Sequence, residues 1–144
     1  MKNEDLLYKF RKIHICFKAN GDAHAKKFNL TQTQMHILHY LFDHSGNVTQ
    51  RDIEKHLDMK HSTVIGILGR MEKNGFIEIS VNKSDRRQRN IKLLKSAYDV
   101  RSDCEAEREY TETKLSSALT ADELEELKIL LDKVYNILKE DSKK

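Results

Sequence analysis

No proline interrupts the 144 residues, where average usage would supply roughly seven. Nothing of that kind forces a helix to break, so most of the chain is expected to be helical. The apolar spacing agrees. Leu6, Leu7, Phe10, Ile13, Phe17 and Phe28 recur at helical intervals over residues 5–28, with Gly21 weakening the middle. Thr31 and Gln34 form a possible capping box for a second helix whose inner face is Met35, Ile37, Leu38, Leu41 and Phe42. Residues 44–47, His-Ser-Gly-Asn, read as a loop. Thr49 is the candidate cap of a short helix with Asp52 at its third position and Ile53 and Leu57 inside. A further helix, from about Lys60 to Asn74, turns Val64, Leu68 and Met71 inward and stops at Gly75.

After Gly75 the period changes from helical to alternating. Residues 76–81 read as a strand, 82–87 as a polar turn, and 89–93 as a second strand around Ile91. From Ser96 the chain returns to helix, with Ala97, Val100, Cys104 and Tyr110 as a thin apolar stripe. Thr120 and Glu123 cap a last helix with a strong stripe at Leu124, Leu127, Leu131, Val134 and Leu138, reinforced by Leu130 and Ile137. The two ends carry more apolar surface than a small core needs, and pairing of two chains would bury the excess.

Charge is distributed unevenly. Residues 49–92 hold ten basic and six acidic side chains and residues 1–28 seven and three, whereas 99–127 hold three and ten. One part of the fold is suited to face a polyanion and another to face away. There is no run of 18 apolar residues, which argues against a membrane span, and the start of the chain lacks the pattern of a signal peptide. Two widely separated cysteines do not make a disulfide scaffold, so a reducing cytoplasmic setting is expected. Gly-x-Ser-x-Gly, phosphate-cradling glycine loops, His-Glu-x-x-His and Cys-x-x-Cys are all missing from the sequence. Catalysis and a required cofactor are not expected.

Two short helices followed by a basic hairpin make a winged helix-turn-helix. Such a fold reads DNA when its second helix shows small or hydrogen-bonding side chains outward. Here that set is Lys60, His61, Ser62, Thr63, Gly66 and Arg70. Gly66 and Gly69 lower helix propensity, and either close approach to a DNA backbone or tight helix packing would account for them. The hairpin tip, Asn82-Lys83-Ser84-Asp85-Arg86-Arg87, sets an acid beside two guanidiniums. Arginine suits a narrow, electronegative minor groove, and Asp85 is placed to orient one. A non-catalytic protein-interaction module on the same scaffold is the rival reading.

These pieces resemble the MarR family of bacterial transcription regulators over nearly the whole chain. The matching segments are residues 30–34 (Leu-Thr-Gln-Thr-Gln), Thr49-Gln50, Ser62-Thr63-Val64, residues 71–77 (Met-Glu-Lys-Asn-Gly-Phe-Ile) and Asp85-Arg86-Arg87. The resemblance implies a mostly α fold with a small β component, a winged helix-turn-helix between long N- and C-terminal dimerisation helices. It divides one domain, 1–144, into a DNA-binding lobe at 30–94 and a dimerisation region at 1–29 and 95–144. It implies a homodimer that reads a pseudo-palindrome in double-stranded DNA as a ligand- or stress-responsive repressor. On that pattern Ser62, Thr63 and their neighbours enter the major groove; Asp85 holds the wing, and Arg87 with Arg86 enters the minor groove, beside Lys83. A pocket for a small aromatic or apolar effector would draw on Ile13, Phe17, His36, His39 and Tyr40.

Two positions depart from the family. An arginine is frequent two residues beyond Ile77, where this chain has Ile79. A Leu-Thr-x-x-Gly segment is replaced by Leu93-Leu94-Lys95-Ser96-Ala97, with Ser96 as the substitute helix cap. Two other signals are open. His24, His36 and Cys104 loosely match regions that supply ligands in zinc-responsive members, with Asp22 or Asp103 to complete a set, although Lys18, Met35 and Arg108 stand at other ligand positions. Cys16, in the first helix, lies broadly where peroxide-sensing members carry a reactive thiol.

Overall fold

The computed structural model describes Lys2 and residues 4–44 and 48–142. Most of the expected loop at 44–47 therefore lies outside the described residues. The elements run α1 (Leu6–Lys27), α2 (Gln32–Asp43), β1 (Val48–Thr49), α3 (Gln50–Leu57), α4 (His61–Lys73), β2 (Ile77–Val81), β3 (Arg89–Leu93), α5 (Lys95–Ala118) and α6 (Ala121–Asp141). The chain divides into two compact units, Met1–Arg101 and Ser102–Lys144.

Within the first unit, local chemistry sets the helix starts. Thr31 Oγ1 accepts from the Gln34 amide at 3.1 Å while Gln34 Oε1 accepts from the Thr31 amide at 3.0 Å. Thr49 and Asp52 repeat the exchange at the start of α3, at 3.2 and 2.9 Å. Each pair satisfies two amides that the first helical turn leaves without intrahelical partners. Gly75 ends α4 at φ +83°, a left-handed conformation that favours glycine. The accompanying bonds, Gly75 N to Glu72 O at 3.0 Å and Phe76 N to Met71 O at 3.1 Å, turn the chain into β2.

β2 and β3 form the expected antiparallel hairpin, with Ile79 opposite Ile91. The short β1, which the alternation of two residues is too brief to announce, pairs Val48 with Ile91 on the other edge of β3. The resulting order is β1-β3-β2. Ile37, Leu38, Ile53, Val64, Leu68, Met71 and Ile77 are fully buried and join α2, α3, α4 and β2 in one core. Ala97 and Val100, at the start of α5, are buried as well.

One local expectation needs correction. Ser96 is not a cap: α5 already begins at Lys95, so the serine sits inside its first turn. The position without an arginine, Ile79, is supported from elsewhere, because its backbone N–H donates to Glu72 Oε2 of α4 at 2.6 Å.

α1 and α6 present apolar side chains that the single chain leaves open. Leu6, Leu7, Ile13 and Phe17 are exposed on α1, where only Ala25 is buried. In the second unit, α6 is capped by the predicted exchange of Thr120 with Glu123 but buries no residue at all; Leu131 is 46% and Leu138 57% exposed.

Candidate nucleic-acid interface

The wing is built by a sequence of short side-chain bonds. Asn82 Oδ1 accepts from the amides of Ser84 at 2.8 Å and Asp85 at 3.1 Å, an Asx turn that bends the chain out of β2. Asn82 Nδ2 donates across the hairpin to Asn90 Oδ1 at 3.1 Å. Asp85 Oδ1 then accepts from both the backbone N and the Nε of Arg87, each at 3.1 Å. These bonds from Arg87, first through its side chain and then its backbone, hold the Asp85 carboxyl below the usual carboxylate range. The Arg87 side chain is 91% exposed despite this anchoring. A cation is thus aimed into solvent with its direction set by an acid beneath it. Arg89 is tied in a similar way, through Nη1 to the Arg86 carbonyl at 3.2 Å.

α4 supplies the second half of the surface. Lys60, His61, Ser62, Thr63 and Arg70 are all exposed, and Gly66 is half-buried among them. Asp58, in the left-handed conformation at φ 51°, turns the chain from α3 into Met59 and Lys60 before α4 starts. Unlike α2, α3 and α6, α4 has no side-chain cap on its first turn. Gly66 and Gly69 are not explained by tight packing within the chain. A Cβ at Gly66 would meet only Arg70 Nη1, at an ordinary 3.5 Å, and a Cβ at Gly69 would meet nothing within 4 Å. Gly66→Ala and Gly69→Ala are therefore each expected to stabilise the fold, by about 1 kcal/mol from helix propensity. The Gly66 variant should nonetheless bind DNA more weakly, because its new methyl stands on the face shared by Ser62, Thr63 and Arg70. Denaturant unfolding and a DNA titration of the same preparations read the two effects separately.

Helix and wing meet in a cleft of about 560 Å³ lined by Gln50, Arg51, Glu54, His61, Asp85, Arg87, Gln88 and Arg89. A neighbouring depression of about 320 Å³ adds Ile65, Gly69 and Ile79. Gln50, Arg51, Glu54, Ile65, Gln88 and Arg89 were not singled out from the sequence as part of the interface. Arg51, on the exposed side of α3, and Arg89, first residue of β3, follow from charge once the fold is known. Gln50 and Glu54 carry no such signal, because their role depends on which helix lies opposite.

The other predicted residues fall in different places. Tyr40 is stacked on His44, with ring centroids 4.1 Å apart, and lies 4.4 Å from His56 of α3. His39 packs edge-on against Phe42. Burial, followed by the fields of His36 and His24, lowers the His39 pKa against an opposing effect of Asp43, which brings three of the histidines into one electrostatic neighbourhood. Ile13 and Phe17 stand 54% and 53% exposed on α1. Among the described residues, no group of three or more His, Cys, Asp or Glu side chains is arranged to hold a metal. His24 and His36 belong to the first unit and Cys104 to the second. Burial, with Asp103, Glu105 and Glu107 around it, pushes the Cys104 thiol up to about 11, which keeps it protonated. Cys16 is a free, exposed thiol.

A capped two-helix unit with an arginine-tipped antiparallel wing defines the winged helix-turn-helix class of DNA-binding proteins. The sequence model of the MarR family matches residues 30–88. MepR of Staphylococcus aureus, a transcription regulator of the multidrug efflux pump MepA, is 30% identical over 93% of this chain and 98% of its own, with a TM-score of 0.80. The MepR–DNA complex from S. aureus gives 31% identity, the same coverage of both chains and a TM-score of 0.73. S. aureus MepR bound to ethidium bromide gives 32% identity, coverage of 95% and 99%, and a TM-score of 0.70. The chain belongs to the MarR family, whose members are DNA-binding transcription regulators rather than enzymes. Among the described residues, no helix is long and apolar enough to cross a membrane.

Proposed function

We propose that this protein is a homodimeric, sequence-specific repressor that binds a pseudo-palindromic operator and is released by a small aromatic or apolar effector. The observation that carries the DNA reading is the Asp85–Arg87 clamp beside the exposed face of α4. On this reading residues 30–94 form the DNA-binding lobe, and residues 1–29 and 95–144 hold two copies together. Ser62, Thr63, Gly66 and Arg70 meet base edges and backbone in the major groove, with Lys60 and His61 at the helix start. Arg87 and Arg86 serve the minor groove, Lys83 the phosphates, and Asp85 keeps Arg87 in place.

Dimerisation is supported by α6, which carries a full apolar stripe and buries none of it within the chain. Two copies that exchange such helices also set the half-site spacing a palindrome requires. For the effector, support comes from the complex of MepR with ethidium, a flat aromatic cation. Ile13, Phe17, His36, His39 and Tyr40 supply the aromatic and apolar surface assigned to it here.

Enrichment of duplexes from a randomised pool by the purified, reduced protein tests the reading. The expected product is an inverted repeat with half-sites about one helical turn apart. Enrichment of a single, unrepeated site contradicts the dimeric operator, and failure to enrich any sequence contradicts sequence-specific binding.

A further inference from the structure

His61 opens α4, where a positive charge is disfavoured by the partial positive charge of the helix N-terminus. A carboxylate nevertheless stands against this histidine. Its Nδ1 faces Glu54 Oε1 of α3 in a short hydrogen bond, and the His61 side chain is 70% exposed while that of Glu54 is 19% exposed. Gln50, itself buried, donates its Nε2–H to the same Glu54 oxygen at 3.1 Å and lies 3.2 Å from His61 Nδ1. A carboxylate oxygen opposite Nδ1 requires the imidazole proton there. Nε2 is then a bare lone pair in the neutral ring and an N–H donor only in the imidazolium.

We propose that Glu54 is a positioning residue for DNA binding: it anchors His61 by Nδ1 so that the imidazolium Nε2–H donates to a DNA phosphate at the start of the recognition helix. The inference rests on the DNA-binding reading above and adds a proton to it. Three features of the surroundings agree. The cleft that holds His61 is otherwise lined by Arg51 of α3 and by Arg87 and Arg89 of the wing, with Asp85 engaged by Arg87, so its free charge is positive and suits a phosphate. Burial works against ionisation of Glu54, but the hydrogen bonds from Gln50 and His61 and the charges of His61 and Arg51 outweigh it and hold the carboxyl below its ordinary value. Glu54 is therefore an anion throughout the range in which an imidazole titrates. The 70% exposure of the His61 side chain leaves the ring open to a ligand.

The sign of the pH dependence follows. The contact needs the second ring proton, so affinity for DNA falls toward alkaline pH. Fluorescence anisotropy on a duplex enriched from the randomised pool, at constant ionic strength, tests this in wild type, Glu54→Gln and His61→Gln. Wild-type affinity should fall about tenfold from about pH 6 to about pH 8, the worth of one charge-assisted contact. His61→Gln should bind at the weaker level throughout, with a flat profile. Glu54→Gln, which keeps the side chain's shape and removes its charge, should lose most of the dependence while retaining the wild-type far-ultraviolet circular dichroism. A flat wild-type profile overturns the proposal, as does a wild-type profile in either variant. His61→Gln lies on an exposed side chain and keeps the test decisive if Glu54→Gln folds poorly. A wild-type protein that enriches no duplex overturns the DNA-binding reading itself, and the His61 contact with it.

Discussion

Arg87→Ala is expected to weaken binding to the operator duplex by roughly 10- to 100-fold, the cost of removing a charge-assisted contact from a closely fitted site. The reason is the way the wing holds this side chain. An unrestrained surface arginine loses rotamer entropy when it enters a groove, and that loss cancels much of the contact. Arg87 is already bound through Nε and its own backbone N–H to Asp85, so little freedom remains to be lost. Asp85→Asn should cause a smaller decrease, because it weakens the clamp while the Asn82 turn still shapes the tip. Binding curves for the two variants against wild type check both the size and the order of the effects. An unchanged dissociation constant for Arg87→Ala would remove the wing from the interface.

That clamp was legible before the fold because its parts are three residues apart at most and the bonding follows from local geometry. The same is true of the capping pairs Thr31–Gln34, Thr49–Asp52 and Thr120–Glu123, where spacing alone places each donor opposite its acceptor. The inner faces of α2 and α4 were legible for a related reason: Ile37, Leu38, Val64, Leu68 and Met71 follow helical periodicity into one core. What the sequence concealed depends on tertiary approach. The link from Glu72 to the Ile79 amide crosses from a helix to an edge strand, and the Gln50–Glu54–His61 group crosses the turn between α3 and α4. Neither has a periodicity to announce it. Ser96 misled for the opposite reason, since a serine near a helix start resembles a cap whether the helix begins after it or, as here, before it. The ambiguity over Gly66 and Gly69 also needed coordinates, because only the empty space around them separates a packing role from an approach role.

The second large effect is expected from α6. Leu131→Asp combined with Leu138→Asp should convert the protein from a dimer into a monomer of the 16.9 kDa chain mass. Both positions are about half exposed in the single chain, so the charges cost the chain itself little. In a paired state they would be buried without partners, at several kcal/mol for each ion. Loss of pairing then reaches the DNA. Two tethered lobes bind their half-sites as one event, and separated lobes forfeit an avidity on the order of 10²–10⁴. Light scattering reads the mass and anisotropy reads the affinity. A variant that remains dimeric would place the subunit contact away from this stripe.

Sequence-specific binding is tested most directly by a titration of the reduced wild-type protein onto the enriched duplex and a scrambled duplex at two salt concentrations. The expected result is a preference of at least about a thousand-fold for the enriched sequence and a steep loss of affinity with salt, as phosphate contacts from Lys60, His61, Lys83 and the wing arginines release counterions. Equal, weak and salt-insensitive binding to both duplexes would contradict it, and would leave the winged helix as a scaffold for protein contacts instead.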